Sequence, residues 1–363
     1  MASTHTWQGT GQHPDEGADM PAGVLLLPFL LMLAIAGAIA GLTLGSADLS
    51  LGVLLRECWL LVTGAEPADR IAHTVLFDIR APRVILAVFV GATLAVSGAV
   101  LQALFRNPLA EPAVIGVSAG AGAAAVATIS FGGVVAVGSA AILYLMPVSA
   151  FLGGLVATLA VMAVARVGGQ TPVLTMLLAG IAVNAIGSAL MGLIMFLSND
   201  EQLRAINFWM LGSLGSATWA AIIPALLFMS LVLALVPALS RNLNLILLGE
   251  REAASLGLEV EKFKNMAVVL VAAGVGAAVA VSGMIGFVGI VVPHLLRLVL
   301  GPDHRVLLPA SMLGGAALLL WADVVARALV PPSELPIGIL TALLGAPFFL
   351  WLLRRAGRDG SAW

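Results

Sequence analysis

Charged side chains are scarce in this sequence of 363 residues. Seventeen residues are basic and 19 are acidic, which makes 10% of the chain, whereas 61% of the residues are hydrophobic. A soluble domain carries roughly a quarter charged residues, and these keep its surface dispersed in water. A surface that faces lipid is instead destabilised by about 3 kcal/mol for each charge near its centre. The composition therefore excludes an ordinary water-soluble protein and predicts a chain embedded in a membrane.

Basic surface and cysteine are also lacking. The formal net charge is -2, and a nucleic-acid partner would need a basic patch that neutralises several phosphates. We therefore expect no nucleic-acid partner. Cys58 is the single cysteine, which excludes a disulfide within one chain and any multi-cysteine metal or iron–sulfur site.

Catalytic motifs are missing as well. The sequence contains neither a GxxxxGK[ST] phosphate loop nor an HExxH metal motif. Residues 116–120 (GVSAG) match the nucleophile-elbow pattern around Ser118, but they lie in an apolar helical run and not between a strand and a helix. His294 has no neighbours in sequence that would complete a metal site. We expect no catalytic residue, no metal site and no cofactor bound by this chain.

Long apolar runs are what the sequence does contain. A spanning helix needs about 20 apolar residues, and runs that are continuously apolar favour helices over the alternating strands of a β-barrel. We predict an all-α membrane protein with about ten transmembrane helices in a compact bundle. Glycines at 283, 286 and 289 interrupt one stretch, so that nine or eleven spans are alternatives. The ten predicted spans are 22–45, 84–105, 113–129, 143–165, 173–197, 219–239, 265–281, 286–300, 306–326 and 337–353.

The predicted organisation is one transmembrane domain, residues 22–356, between two tails. Residues 1–21 are polar, hold three acidic residues and no Lys or Arg, and are expected to form a disordered tail and not a secretory signal. Residues 357–363 form the second tail. A polar loop, residues 241–264, lies within the domain. Closely spaced glycines, such as Gly116 and Gly120, predict helices packed tightly in lipid.

Basic residues predict the orientation, because Lys and Arg are enriched in cytoplasmic loops. With ten spans and the N-terminus inside, eleven of the seventeen basic residues lie on the inner side, so that both termini are predicted to be cytoplasmic. The loop after the first span argues the other way, since it holds four arginines. The six outer basic residues are Arg56, Arg70, Arg80, Arg83, Arg204 and Arg327.

Two groups of residues are candidate contact sites. Within the inner loop, residues 248–257 show the pattern of a short amphipathic helix outside the membrane, which is either a solvated interfacial loop or a docking surface. On the outer side, Arg80 and Arg83 flank a proline, and Arg327 follows Asp323 by four residues, the spacing of a helical ion pair. Snorkelling anchors are the alternative. Together these arginines predict a positive rim that faces an acidic partner.

Four stretches carry a resemblance to a known family: RAPRVILAVFVGATLAVSGAVLQALFRNPLAEPAVIGVSAGAG, LGEREAASLGL, GMIGFVGIVVPHLLRLVLGPDHRVLLPAS and WADVVARALVPPSELPIGILTALLGAPFFLWLLRR. They occur in the right order and resemble the FecCD-type permeases. These are membrane subunits of the type II ABC importers for iron-siderophores, haem and vitamin B12. The resemblance extends from about residue 22 to residue 358.

The resemblance implies a homodimer with the transport path at its two-fold axis, in the bacterial cytoplasmic membrane. Two ATPase subunits, which use ATP and Mg, would bind on the cytoplasmic face, and an external or periplasmic substrate-binding protein would dock on the opposite face. The expected coupling element comprises Leu248, Gly249, Glu250, Arg251, Ala253, Ala254, Leu256 and Gly257.

The same resemblance implies roles for further residues. Arg80, Arg83 and Arg327 resemble positions that present arginines to the binding protein. The expected cytoplasmic gate comprises Asn107, Pro108, Leu109 and Thr171. On the fifth span, the candidates for lining the pathway are Met176, Asn184, Ser188 and Met191.

The cargo is the least determined feature. The segments FLSNDEQLRAINFWMLGSLGSATW and NPLAEPAVIGVSAGAG look most like the haem permeases of the family, so we favour haem. A ferric siderophore or vitamin B12 is the alternative. An ion-coupled secondary transporter and an intramembrane enzyme are the alternatives from other classes; the first would need buried ionisable residues, for which Asp323 is the main candidate.

Overall fold

Helices account for the fold in the computed structural model, which describes residues 22–45, 49–135, 139–330 and 333–358. The predicted tail 1–21 and residues 359–363 lie outside these ranges, and the last helix continues two residues into the predicted C-terminal tail. The α-helices of the described residues are α1 (Ala22–Thr43), α2 (Leu51–Thr63), α3 (Arg70–Thr74), α4 (Ala81–Leu104), α5 (Val117–Val135), α6 (Ser139–Ala165), α7 (Val173–Leu197), α8 (Asp200–Met210), α9 (Trp219–Leu235), α10 (Ser240–Leu248), α11 (Glu250–Ser255), α12 (Val260–Ser282), α13 (Val288–Leu300), α14 (His304–Leu329) and α15 (Ile337–Arg358).

Each of the ten predicted spans forms a helix. Within the described ranges, seven helical segments are long and apolar enough to cross a membrane: Leu25–Thr43, Arg70–Leu104, Tyr144–Ala165, Val173–Leu197, Trp219–Leu248, Val260–Ser282 and His304–Leu329. Three shorter apolar helices coincide with the remaining predicted spans: Val117–Gly132, Val288–Leu300 and Ile337–Leu350. The all-α membrane fold is therefore confirmed. The break between α12 and α13 is real, because Gly283 and Phe287 both adopt left-handed backbone angles there, with φ of 68° and 66°.

Helix α4 is the centre of the bundle, and almost all of its residues are buried. It packs against α14, α13, α12 and α9. Two glycines allow the closest approaches. A Cβ at Gly91 would collide with the backbone carbonyl of Gly315 in α14, and one at Gly98 would collide with that of Gly289 in α13. Elsewhere in the bundle, a Cβ at Gly120 of α5 would collide with the backbone carbonyl of Gly153 in α6. Such close approaches are expected where small residues let helices pack in lipid.

Short amphipathic helices occupy segments that we predicted as loops. Ser50 caps α2 at its N-terminus, and Gly64 ends it in the left-handed conformation. Asn199 and Gln202 form a capping box at the start of α8. The arginine-rich loop before the second span is also largely helical, since α3 and a π-helical segment, Val75–Arg80, lead directly into α4. The sequence interpretation missed these helices because they are too short to appear as spans.

Helix α14 connects the two ends of the bundle. Its first residue lies beside α10, and its last turns carry Asp323 and Arg327 beside α4. Its 26 residues span roughly 39 Å at 1.5 Å per residue. Following the predicted orientation, we call the end that holds α10 and α11 the inner end, and the end that holds Arg83 the outer end.

Candidate coupling and docking sites

The predicted coupling element, residues 248–257, lies at the inner end and begins where α10 and α11 meet at Gly249. Gly249 has a φ of 129°, a conformation that few other residues adopt, and so it allows the sharp break between the two helices. Leu248 and Leu256 flank α11 and expose 62% and 63% of their surfaces. Arg251 is exposed between them. The sequence predicted one short helix here, whereas the structure has two. The second helix exposes Arg251, Glu252, Ala254 and Ser255 to solvent.

The remaining residues of the predicted coupling element lie on both faces of α11 and at its end. Ala253 is fully buried and Ala254 is exposed. Glu250 faces a buried lysine, Lys264, at 3.1 Å. Gly257 ends the segment with a φ of 89°. Because one face of α11 is packed and the opposite face is open, this short helix can present a rigid surface to another protein.

Helix α10 is fastened to the first turn of α14. The side-chain amide of Asn244 donates to Asp303 at 2.7 Å, and its carbonyl oxygen accepts from the backbone N–H of His304 at 3.0 Å. Asp303 also accepts from the backbone N–H of Arg305 at 2.9 Å. These hydrogen bonds, the one from Arg305 first, hold the pKa of the Asp303 carboxyl below its ordinary value. A displacement of α10 therefore either moves the first turn of α14 or breaks these hydrogen bonds.

The first part of the predicted gate, Asn107 to Leu109, is a tight turn at the inner end of α4. The Asn107 side chain accepts from the backbone N–H of Leu109 at 2.9 Å, and Asn107, Pro108 and Leu109 are all half-buried. Gln102, one turn earlier, donates to the carbonyl of Gly289 at 3.1 Å. The turn is thus connected to the start of α13, whereas its role as a gate stays a prediction.

Thr171, the second part of the predicted gate, is 1% exposed. Its backbone N–H and its hydroxyl donate to one carboxylate oxygen of Glu261, at 3.0 Å and 2.6 Å. The residue therefore does not face an open path. It fastens the segment before α7 to the first turn of α12.

Arg83 is the centre of an ionic cluster at the outer end. Its Nε donates to Asp323 at 2.9 Å, and its Nη1 donates to both carboxylate oxygens of Glu334, at 2.9 Å and 2.8 Å. Arg327 lies 3.1 Å from the other oxygen of Asp323, as the i,i+4 spacing predicted. Asp323 is 2% exposed, and its charge is matched by two guanidinium groups.

Arg80 and Arg327 attach α1 to this cluster. One terminal nitrogen of Arg80 donates to the carbonyls of Leu42 and Thr43, at 2.7 Å and 2.8 Å. Arg327 donates to the carbonyls of Gly41 and Leu44, both at 3.1 Å. The last carbonyls of a helix have no partners within the helix, so the arginines satisfy the end of α1.

The expected positive rim is therefore wrong as a description of the free chain. Arg80 and Arg83 are 5% and 9% exposed, and the side chain of Arg327 is 10% exposed. A buried charge is destabilising unless it is paired. Within the chain, Arg83 and Arg327 pair with carboxylates and Arg80 donates to backbone carbonyls. The docking role of the three arginines stays a prediction, but any partner would meet groups that already have bonds.

The predicted pathway residues on α7 face in different directions. Met176 and Met191 are 3% and 8% exposed, and Met191 packs against Gly122 of α5. Asn184 is half-buried, and its amide donates to the carbonyl of Ala113 at 3.0 Å. Ser188 is exposed. The two methionines are thus part of the protomer's interior packing, and of the predicted set only Ser188 lies on the open face of the helix.

Several residues of these sites were missed at the sequence level. No local sequence pattern marks Glu334 or Asn244, because their hydrogen-bond partners lie 251 and 59 residues away in sequence. Lys264 follows Glu261 by three residues, a spacing that predicts an ion pair but not burial.

Comparisons with known proteins agree with this architecture. Residues 30–355 match the model of the FecCD transport family. The chain is 44% identical over 337 residues to the hemin transport system permease protein HmuU of Yersinia pestis, an alignment that covers 91% of this chain and 96% of that protein. It is 42% identical over 319 residues to the vitamin B12 import system permease protein BtuC of Escherichia coli, covering 85% and 92%.

A solved structure has the same fold. It is described as an inward-facing conformation of a metal-chelate type ABC transporter, with a TM-score of 0.79 and 35% identity, and the match covers 91% of this chain and 99% of that one. The match to the family model extends over most of the chain, and the curated relatives align over nearly their whole length. The chain is a multi-pass membrane permease and belongs to the FecCD transport family.

Proposed function

We propose that this chain forms the membrane-spanning homodimer of an ATP-driven importer in the bacterial cytoplasmic membrane. Two ATPase subunits, which use ATP and Mg, bind at the coupling element on the inner end. The observation that carries this proposal is the short helix α11 with its exposed Arg251, which lies between the exposed Leu248 and Leu256 and packs on the bundle through the buried Ala253. Apolar and arginine side chains on a rigid element are typical of protein contacts that carry binding energy.

An external binding protein docks on the outer end. The ionic cluster around Arg83 and Arg327, with Arg80 beside it, supports this role because it places three guanidinium groups at the outer end of the bundle. Glu334 is the accessible member, with 41% of its side chain exposed. An arriving carboxylate would compete with Glu334 for Arg83, and not fill an empty positive site.

The transport path runs along the open face of α7 at the two-fold axis. This face is apolar apart from Ser188, and its exposed members include Leu178 and Ile181. A wall with few hydrogen-bonding groups suits a large rigid cargo, because it holds the cargo weakly. ATP binding closes the ATPase subunits, and the helices then rock so that the path opens to one side at a time.

Haem is the cargo that we propose. The alignment to the hemin permease covers 91% of this chain at 44% identity. Vitamin B12 is the second candidate, since a cobalamin import permease of Halobacterium salinarum is also 44% identical, over 78% of this chain. A ferric siderophore is the third candidate, because the similar solved structure is described as a metal-chelate type ABC transporter.

A competition experiment distinguishes these cargoes. The complete complex, with its ATPase and binding protein, is reconstituted in liposomes and given equal concentrations of haem, cobalamin and a ferric siderophore. We expect ATP-dependent uptake of haem that the other two do not reduce. Uptake of cobalamin in preference to haem would contradict the haem assignment and leave the importer function intact.

A further inference from the structure

Lys264 is a buried ammonium group at the inner end of the bundle. It is 3% exposed. Its Nζ lies 3.1 Å from a carboxylate oxygen of Glu250, 2.9 Å from one of Glu261, and 3.0 Å from the backbone carbonyl of Thr171. An ammonium group has three N–H donors, and each has one of these three acceptors within reach.

These partners belong to three separate elements. Glu250 is the first residue of α11, Glu261 lies in the first turn of α12, and Thr171 precedes Pro172, which caps α7. Burying an ammonium group without partners has a penalty of several kcal/mol. Lys264 is therefore stable in this position only while all three elements remain assembled around it.

Lys264 also connects the coupling element to the segment that leads into α7. A single nitrogen atom lies within about 3 Å of both Glu250 and Thr171. Hydrogen bonds weaken outside a range of roughly half an ångström. A displacement of α11 well beyond this range therefore either moves the segment before α7 with it or breaks a hydrogen bond of Lys264.

We propose that Lys264 transmits the movement of the coupling element to α7, the helix that we place beside the transport path. This inference rests on the proposed function. Glu261 reinforces the connection, because it binds both Lys264 and the N–H and hydroxyl of Thr171. The link between α10 and α14 through Asn244 is a separate attachment that bypasses α7.

Three variants separate transmission from simple stabilisation. Lys264→Met replaces the side chain by an unbranched one that is one atom shorter and has no charge, and Lys264→Arg keeps the charge. The matched control is Lys262→Met, two residues away, where the side chain is 82% exposed and pairs with Glu259 one turn earlier. Each variant of the complete complex is measured in liposomes for cargo uptake and for ATP hydrolysis.

We expect Lys264→Met to lower uptake per ATP hydrolysed by about tenfold, within the range of measured coupling energies, while ATP hydrolysis continues. Lys264→Arg and Lys262→Met should stay within about twofold of the wild type, a change of at most ~0.4 kcal/mol. If Lys264→Met fails to assemble, Glu250→Gln carries the same test, because Glu250 is partly exposed and tolerates the change. Unchanged uptake per ATP in the variant that assembles would overturn the proposal.

A distance measurement tests the proposal without a change at the lysine. Spin labels are placed on Glu252 of α11 and Leu174 of α7, both exposed. We expect their separation to stay constant between nucleotide-free and ATP-bound complexes, because the two elements move together. A separation that changes between these states overturns the proposal. A wild-type complex without ATP-driven uptake would contradict the proposed function instead.

Discussion

The candidate docking residues at the outer end and the candidate coupling residues at the inner end differ in the exposure of their arginines. At the outer end, Arg80 and Arg83 are buried and bind carboxylates or helix-end carbonyls of the same chain. At the inner end, Arg251 is exposed beside two exposed leucines, while one lysine is buried beneath them. The buried outer arginines thus hold helices together, whereas α11 offers an exposed surface.

This difference separates stability from recognition. The outer cluster joins α1, α4 and α14, so that changing it should first alter folding and only then docking. The coupling element has a free face, so that changing this face should alter binding and leave folding unaffected. The following variants test the contrast, in order of decreasing effect.

Asp323→Ala should have the largest effect. It leaves the buried guanidinium groups of Arg83 and Arg327 without their shared carboxylate, and breaking a buried ion pair destabilises by about 3–5 kcal/mol. Thermal unfolding of the purified chain in detergent measures the change. Glu334→Ala is the control, because its side chain is 41% exposed and its loss should have an effect of about 1 kcal/mol or less. Equal effects of the two variants would refute the structural role of Asp323.

Leu256→Asp should weaken ATPase binding without unfolding the chain. Leu256 is 63% exposed, so that the free energy of unfolding should change by no more than about 0.5 kcal/mol. Loss of an apolar contact at a binding hot spot corresponds to about 2 kcal/mol, or roughly thirtyfold in affinity. Affinity is measured between the purified subunits. Ser255→Ala, at the neighbouring exposed position, should bind normally. Wild-type affinity of Leu256→Asp would place the ATPase elsewhere.

Glu334→Gln should tighten docking of the binding protein modestly. The change removes a carboxylate that competes for Arg83 and leaves the buried pair with Asp323 intact. We expect an affinity increase of about two- to fivefold at low salt, which decreases as salt is raised. This variant tests docking more directly than Arg83→Glu, because Arg83→Glu would place a third carboxylate in the cluster beside Asp323 and Glu334. Affinity that is unchanged at all salt concentrations would argue against docking at Arg83.

Lys262→Ala should have the smallest effect. Its pair with Glu259 is exposed on one helix face, and such pairs contribute about 0.5 kcal/mol or less. Thermal unfolding should therefore be nearly unchanged. A loss as large as that of Asp323→Ala would show that exposure does not separate the two kinds of charge in this protein.

The helices could be predicted from the sequence because each predicted span is a continuous apolar run. Periodicity was not needed for them, since a helix in lipid is apolar on most of its surface. Helices α2 and α8 could not be predicted in this way, because they have 13 and 11 residues and mix polar with apolar positions. Their caps at Ser50 and Asn199 were the available signal.

The site residues likewise differ in whether a local sequence pattern reveals their contacts. The pair of Asp323 with Arg327 follows from local spacing and was predicted. The short helix after Gly249 was also predicted from a local pattern, whereas the break at Gly249 that separates it from α10 was not. The burial of Arg83 depends on Glu334, 251 residues further along the chain, and on the packing of α4 against α14. No local pattern reveals such a contact. The burial of Met176 and Met191 likewise depends on which side of α7 its neighbours cover.

The central claim is that ATP hydrolysis drives cargo through this permease. The direct test is cargo uptake by liposomes that contain the complete complex and bound binding protein, with ATP available to the ATPase subunits and without any ion gradient. We predict uptake that stops when ATP is withheld and that a proton or sodium gradient does not restore. Uptake driven by an ion gradient in the absence of ATP would contradict the account and favour a secondary transporter.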